Sequence, residues 1–216
     1  MAELQDGRMA ELQDGRIALI DYGAGNLTSV RKALTAVGAS LFVPAKPADV
    51  ERAAAIVVPG VGHFDATRAL DATWVEAILA RVGEGRPLLG ICLGMQWLFE
   101  GSDESDRATG LGIFEGRCGR LSGDVKVPHV GWNVLARTGL PSCLLEGLPG
   151  DAYAYFSHTF APRISRDTVA TTTHGVAFAS VVERGRVFGT QWHPEMSGRT
   201  GARVLENFLR LAAASC

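Results

Sequence analysis

Apolar and polar positions over the first hundred residues fall into blocks that alternate between strand and helix. Residues 16–22 form an apolar run centred on Ile17-Ala18-Leu19-Ile20 and read as a buried strand. Gly23-Ala24-Gly25-Asn26 turns the chain, and Asn26 is suited to cap a helix that runs to about residue 38. Leu27, Val30, Leu34 and Val37 give that helix one apolar face. Residues 41–43 make a short second strand. Residues 53–58 make a third, which ends in Pro59-Gly60-Val61-Gly62. Helical stretches are expected from about residue 65 and over 74–82. Residues 87–92 are apolar again and pass directly into an amphipathic stretch at 93–98. Strand and helix in alternation imply a parallel sheet covered on both faces. Ligands bind such sheets at the carboxyl ends of the strands, where Gly60 and Cys92 both fall.

The texture changes after Gly101. Residues 102–110 are polar and loop-like. From there short strands are expected at 116–121, 132–135, 152–156, 168–173, 177–183 and 186–191, with a closing helix over 201–211. No Pro- or Ser-rich linker interrupts the chain, so residues 16–216 are read as one domain. Residues 1–8 recur unchanged as 9–16. Eight mostly polar residues bury no face, so this is not a structural repeat, and residues 1–15 are expected to be disordered or loosely attached. They contain no apolar core of a signal peptide.

Composition narrows the function classes. The formal net charge of −2 gives no reason to expect nucleic acid or an anionic membrane surface as partner. The longest apolar runs fall short of a membrane span. Cys92, Cys118, Cys143 and Cys216 are far apart, with neither zinc-site nor disulfide-framework spacing. The expected setting is the reducing cytoplasm, and no metal or cofactor is expected.

Candidate chemistry gathers at Gly90-Ile91-Cys92-Leu93-Gly94. A strand that turns sharply into a helix at a nucleophile has the form of a nucleophile elbow. Its flanking glycines let two backbones approach closely, and the helix N-terminus favours thiolate over thiol. A buried core cysteine fits the same letters. A cysteine nucleophile needs a base, and the base needs an orienting group. Of His63, His129, His158, His174 and His193, the last ends an apolar strand and has Glu195 two residues on. In an extended segment those two side chains point the same way. The Leu93 N–H and those of Gly60-Val61-Gly62 are candidate oxyanion donors. The glycines also permit a peptide flip, so that this donor forms only in an activated state. An α/β-hydrolase runs nucleophile, acid, histidine; here the acid follows the histidine.

Gly90-Ile91-Cys92-Leu93-Gly94-Met95-Gln96 and Gln191-Trp192-His193-Pro194-Glu195 resemble the two signature blocks of the class I glutamine amidotransferase family. Further blocks are similar to the glutaminase subunits of imidazole glycerol phosphate synthase: Asp21-Tyr22-Gly23-Ala24-Gly25-Asn26-Leu27, Pro59-Gly60-Val61-Gly62, Lys126-Val127-Pro128-His129-Val130-Gly131-Trp132-Asn133 and Tyr155-Phe156-Ser157-His158-Thr159-Phe160. The resemblance implies a three-layer α/β/α fold whose central sheet is mostly parallel, with extra antiparallel strands. It implies hydrolysis of L-glutamine by Cys92, His193 and Glu195. It further implies delivery of ammonia to a (β/α)₈-barrel cyclase subunit, which makes imidazole glycerol phosphate and aminoimidazole carboxamide ribotide in histidine biosynthesis. Gln96 and Glu104 would contact glutamine, and Thr159 and Phe160 would line the pocket through their backbone. Asn26, Lys126, His129, Trp132, Asn133, Tyr155 and Met196 would face the partner. Many relatives carry a basic residue where this chain has Met196. The rival readings are a glutaminase serving another synthesis, a silent homologue that only binds a partner, and a small-molecule cysteine hydrolase.

Overall fold

In a computed structural model that describes residues 15–214, the chain opens with β1 (Ile17–Leu19), α1 (Leu27–Ala36), β2 (Leu41–Phe42), β3 (Ala55–Val58), α2 (Ala72–Gly83), β4 (Leu88–Ile91) and the short α3 (Leu93–Trp97). It continues through β5 (Gly101–Ser102), β6 (Ser105–Thr109), β7 (Arg117–Arg120), β8 (His129–Val134), β9 (Ala136–Arg137) and β10 (Tyr153–His158). The last elements are β11 (Phe160–Pro162), β12 (Thr168–His174), β13 (Val176–Arg184), β14 (Val187–Thr190) and α4 (Gly198–Ala213). The duplicated start lies outside the described residues, apart from its last two positions.

The middle layer is an eight-stranded sheet in the order β2-β1-β3-β4-β14-β13-β12-β9. Its first five strands are parallel and the rest antiparallel. The period of two along each strand decides which helix each residue meets. Ile17, Leu19, Val57, Leu89 and Ile91 share one cluster with Val30 and Leu34 of α1 and Val204, Leu205 and Phe208 of α4. Ala18, Ile20, Ile56, Val58 and Leu88 face the other way, against Ile78 of α2 and Met95 and Trp97 of α3. Two dry faces explain why these strands read as unbroken apolar runs.

The helix starts are chemically specified. Asn26 Oδ1 accepts from Ser29 N–H at 3.2 Å. Asp71 Oδ1 accepts from Thr73 and Trp74 N–H at 2.9 and 3.2 Å, satisfying donors that the first turn leaves free.

Two stretches differ from expectation. Residues 102–110 are not a loop. β5 and β6 form a hairpin within a four-stranded sheet, β11-β7-β5-β6. Its polarity reflects exposure: Asp106, Arg107 and Thr109 face solvent, while Ser105 and Ala108 are buried. The strand expected at 132–135 begins earlier, as β8 (His129–Val134), and pairs with β10 in a two-stranded ribbon. The turn-forming residues lie before the strand, and Gly131 sits inside it with φ +134°.

The elbow rests on a close approach. A Cβ on Gly94 would lie 1.8 Å from the Val58 carbonyl oxygen, and one on Gly90 would lie 2.6 Å from the Gly94 carbonyl oxygen. α3 therefore sits directly on β3 and β4, with space only for hydrogen at both contacts. Gly94→Ala should destabilise the protein by about 3 kcal/mol, the upper end of overpacking costs. Gly83→Ala, where nothing lies within 4 Å, should leave stability unchanged or raise it by up to about 1 kcal/mol. Urea midpoints of the two variants check this contrast; equal midpoints would mean that α3 lifts off the sheet at little cost.

Candidate active site

Three strand ends build the site. β4 delivers Cys92, β3 runs into Gly60-Val61-Gly62, and β14 runs into Gln191, Trp192 and His193. β4 lies between the other two in the sheet, so the thiol is flanked on both sides. Cys92 has φ +52°, a left-handed conformation that is uncommon and costly for a residue with a Cβ. The cost is sustained by packing: Cys92 is 5% exposed and Leu93 2%.

His193 Nδ1 lies 2.8 Å from Glu195 Oε1. The route differs from the extended one expected from spacing. Pro194–Met196 is a 3-10 turn that curls Glu195 back beneath the ring. His193 Nε2 is buried without a hydrogen-bond partner among the described residues. Burial works against the charged imidazole, but Cys92 and then Glu195 outweigh it and raise its pKa to about 10. The protonated form is therefore held at neutral pH. Ser197 Oγ donates to the His193 carbonyl at 2.7 Å. Glu195 thus holds the ring, and Ser197 the backbone that carries it.

Of the candidate oxyanion donors, the Leu93 N–H is not free in this conformation. Leu93 N–H donates to the Gly60 carbonyl at 3.2 Å. Gly60 is itself wedged: a Cβ there would lie 2.0 Å from Tyr22 Oη and 2.9 Å from Leu93 Cβ. Val61, beside it, is 40% exposed.

A cavity of about 270 Å³ opens beside the thiol, lined by Cys92, Gly62, Gln96, Glu104, Thr159 and Phe160 among others. The four residues expected at the substrate, Gln96, Glu104, Thr159 and Phe160, thus surround one space together with Gly62 and Leu93 of the expected oxyanion set. Glu104 Oε2 already accepts from Phe64 N–H at 2.8 Å. The Thr159 carbonyl is taken by Leu121 N–H at 2.9 Å, and the Phe160 carbonyl by Gln96 Nε2 at 2.8 Å. A larger cavity, about 960 Å³, lies between α2 and β6. It holds none of the candidate reactive groups.

Residues expected at a partner separate into two sets. On the outer face of the β8–β10 ribbon, Val130, Trp132 and Tyr153 are 57, 56 and 55% exposed. The Trp132 and Tyr155 rings meet edge to face there, with centroids 6.1 Å apart. Met196 is 49% exposed, and Asn26 and Lys126 are exposed. His129 is different. It is 4% exposed and stacks on Phe156 and His174. Strand alternation turns it inward when Trp132 points out, so its side chain does not reach the surface. Asn133 is half-buried and also points inward, to His129 and the Thr173 carbonyl.

One contact went unread in the sequence. Gln191 Nε2 donates to Cys92 Sγ at 3.6 Å, and Gln191 Oε1 accepts from Gln96 Nε2 at 3.1 Å. The available signal was an amide at the end of an apolar strand, one residue before the tryptophan–histidine pair.

Comparison with known proteins gives the family. Residues 18–212 match the family described as glutamine amidotransferase class-I. Imidazole glycerol phosphate synthase subunit HisH of Moorella thermoacetica is 44% identical over 194 residues, covering 88% of this chain and 92% of that one. HisH of Thermococcus kodakarensis is 46% identical over 200 residues, covering 89% and 98%. Among solved structures, a glutamine amidotransferase aligns with TM-score 0.70 at 21% identity, over 91% of this chain and 99% of its own. PurLQS from Thermotoga maritima aligns with TM-score 0.70 at 19% identity, over 90% and 97%; at such identities these likenesses speak for the fold. This chain belongs to the class I glutamine amidotransferase family, among the HisH subunits of imidazole glycerol phosphate synthase.

Proposed function

We propose that the chain hydrolyses L-glutamine with Cys92 as nucleophile, His193 as proton carrier and Glu195 as orienting group. It passes the ammonia to a (β/α)₈-barrel cyclase that makes imidazole glycerol phosphate and aminoimidazole carboxamide ribotide in histidine biosynthesis. The observation that carries this reading is one buried constellation: the strained Cys92 between two strand ends, the His193–Glu195 pair, and a cavity of about 270 Å³ at the thiol.

The chemistry follows from the groups present. The Cys92 thiolate attacks the side-chain amide carbon, forming a C–S bond and an oxyanion. The His193 imidazolium gives its proton to the amide nitrogen, the C–N bond breaks, and ammonia leaves. Neutral His193 then takes a proton from water, and the hydroxide attacks the thioester. The C–S bond breaks, releasing glutamate and restoring the thiolate. Each oxyanion donor is worth roughly 3 kcal/mol. With the Gly60 carbonyl on the Leu93 N–H, that contribution is withheld. Rotation of the Gly60–Val61 peptide removes the carbonyl and presents an N–H in its place. Ammonia must leave unprotonated, so its exit has to exclude bulk water. A partner seated on the apolar ribbon face provides that shelter.

Cys92→Ala should abolish glutamate release and keep the melting temperature close to that of the unaltered chain. Glutamate release surviving in this variant would remove the nucleophile assignment. His193→Ala should lower kcat by roughly a thousandfold or more, and Glu195→Gln should lower it less, since it orients and does not carry the proton. Steady-state assays with the cyclase present give the order, and a reversed order would mean that Glu195 handles protons directly.

The raised His193 pKa also fixes a sign. Its stabilising contribution is complete below the unfolded value of roughly 6.5 and is lost as pH rises through about 10. Stability measured by denaturant should therefore decline across that window, and less steeply in Glu195→Gln. An identical decline in both would separate Glu195 from the imidazolium.

Trp132→Ala should weaken cyclase binding by about 2 kcal/mol, as an exposed aromatic anchor does, without altering the melting temperature of the free subunit. His129→Ala empties an inward site and should lower that melting temperature instead. Binding isotherms and thermal melts of both variants distinguish the two roles.

A further inference from the structure

The buried His129 and His158 and the half-buried Asn133 form a polar chain that the reaction scheme leaves unused. His158 Nδ1 lies 3.0 Å from the Phe160 carbonyl oxygen. His129 Nδ1 lies 3.1 Å from His158 Nε2, and Asn133 Nδ2 lies 3.2 Å from His129 Nε2. Phe156 and Phe178 pack around both rings. The two histidines are 4 and 6% exposed.

Only one proton arrangement satisfies every contact. A carbonyl accepts and never donates, so His158 Nδ1 carries the proton. A neutral imidazole has one N–H, which makes His158 Nε2 an acceptor and the facing His129 Nδ1 a donor. His129 Nε2 is then an acceptor and takes the Asn133 amide. The Asn133 orientation agrees, because its Oδ1 accepts from Val134 N–H at 2.8 Å and its Nδ2 also donates to the Thr173 carbonyl at 3.0 Å. Both rings are neutral. Burial and then His174 push His129 down to about 4, while burial and then His129 push His158 down to about 3.

The chain ends at the pocket. The Phe160 carbonyl that receives His158 also receives Gln96 Nε2 at 2.8 Å. The same Gln96 nitrogen reaches Gln191 Oε1, and Gln191 Nε2 reaches Cys92 Sγ. We infer that His158, backed by His129 and Asn133, is a positioning residue for the glutamine pocket: its Nδ1–H holds the Phe160 carbonyl where Gln96 anchors the Gln191 amide against Cys92. The inference rests on the glutaminase reading and deepens it. It also reassigns His129 from a surface contact to a link between the ribbon interior and the nucleophile.

Two conservative variants separate the two sides of the His158 ring. His158→Asn places an amide nitrogen near the Nδ1 position and keeps a donor for the Phe160 carbonyl. His158→Gln places its amide near the Nε2 position, keeping the His129 contact and losing the carbonyl. With the full chain and its cyclase partner, His158→Gln should lower kcat/KM for glutamine roughly tenfold, about the worth of one buried hydrogen bond, and His158→Asn should recover most of that loss. Melting temperatures should be similar in the two. Equal losses in both variants, or no loss in either, overturn the positioning role alone. An unaltered chain that releases no glutamate overturns the glutaminase reading and takes this role with it. Nitrogen-15 spectra of the unaltered chain decide the matter without a variant: both rings should carry the proton on Nδ1, and an Nε2–H form of either ring overturns the inference.

Discussion

The close approach of α3 to β3 at Gly94 sets the position of every group that could react. With the helix lying on the Val58 carbonyl, β4 has no room for a gradual turn. Cys92 takes the whole change of direction in one residue, at φ +52°. A side chain at position 94 would push apart the two elements that carry the thiol and the 60–62 loop. One steric constraint therefore registers Cys92 against the 60–62 loop, and apolar packing on both sheet faces sustains the strained residue.

Polar groups then complete what packing begins. His193 is held by Glu195 through its ring and by Ser197 through its backbone. Its N–H donates to the Tyr155 carbonyl at 3.0 Å, and Tyr155 N–H donates to Ser197 Oγ at 2.9 Å. The ribbon that shows Trp132 to solvent is thus bonded directly to the turn that carries the histidine. On its inner side the same ribbon leads through His129 and His158 to the Phe160 carbonyl. The outward aromatic face and the inward polar chain alternate along the same two strands.

How much of this was legible follows from the range of each interaction. The parallel half of the sheet was readable because unbroken apolar runs and helix caps are local. The elbow was readable because its glycines adjoin the cysteine. The pairing of His193 with Glu195 was expected from an extended segment, and the structure reaches it through a 3-10 turn; spacing suggested proximity without its geometry. The β5–β6 hairpin was missed because a strand with most of its side chains in water has a loop's composition. The inward turn of His129 depends on β8 pairing with β10, some two dozen residues on. Gln191 depends on Gln96 and Cys92, nearly a hundred residues away, and an isolated glutamine carries no mark of such partners.

The Gly60 carbonyl resting on the Leu93 N–H also bears on the choice of reagents for this thiol. A haloacetamide reacts by displacing halide from carbon and develops no charge on a carbonyl oxygen at the attacked centre. A glutamine-like aldehyde adds sulfur to its carbonyl and needs the oxyanion stabilised. The first reagent is indifferent to the loop, whereas the second depends on it. On the proposed reading, in which the loop opens to free an oxyanion donor, the ratio of their rates at Cys92 reports on that opening without any turnover assay.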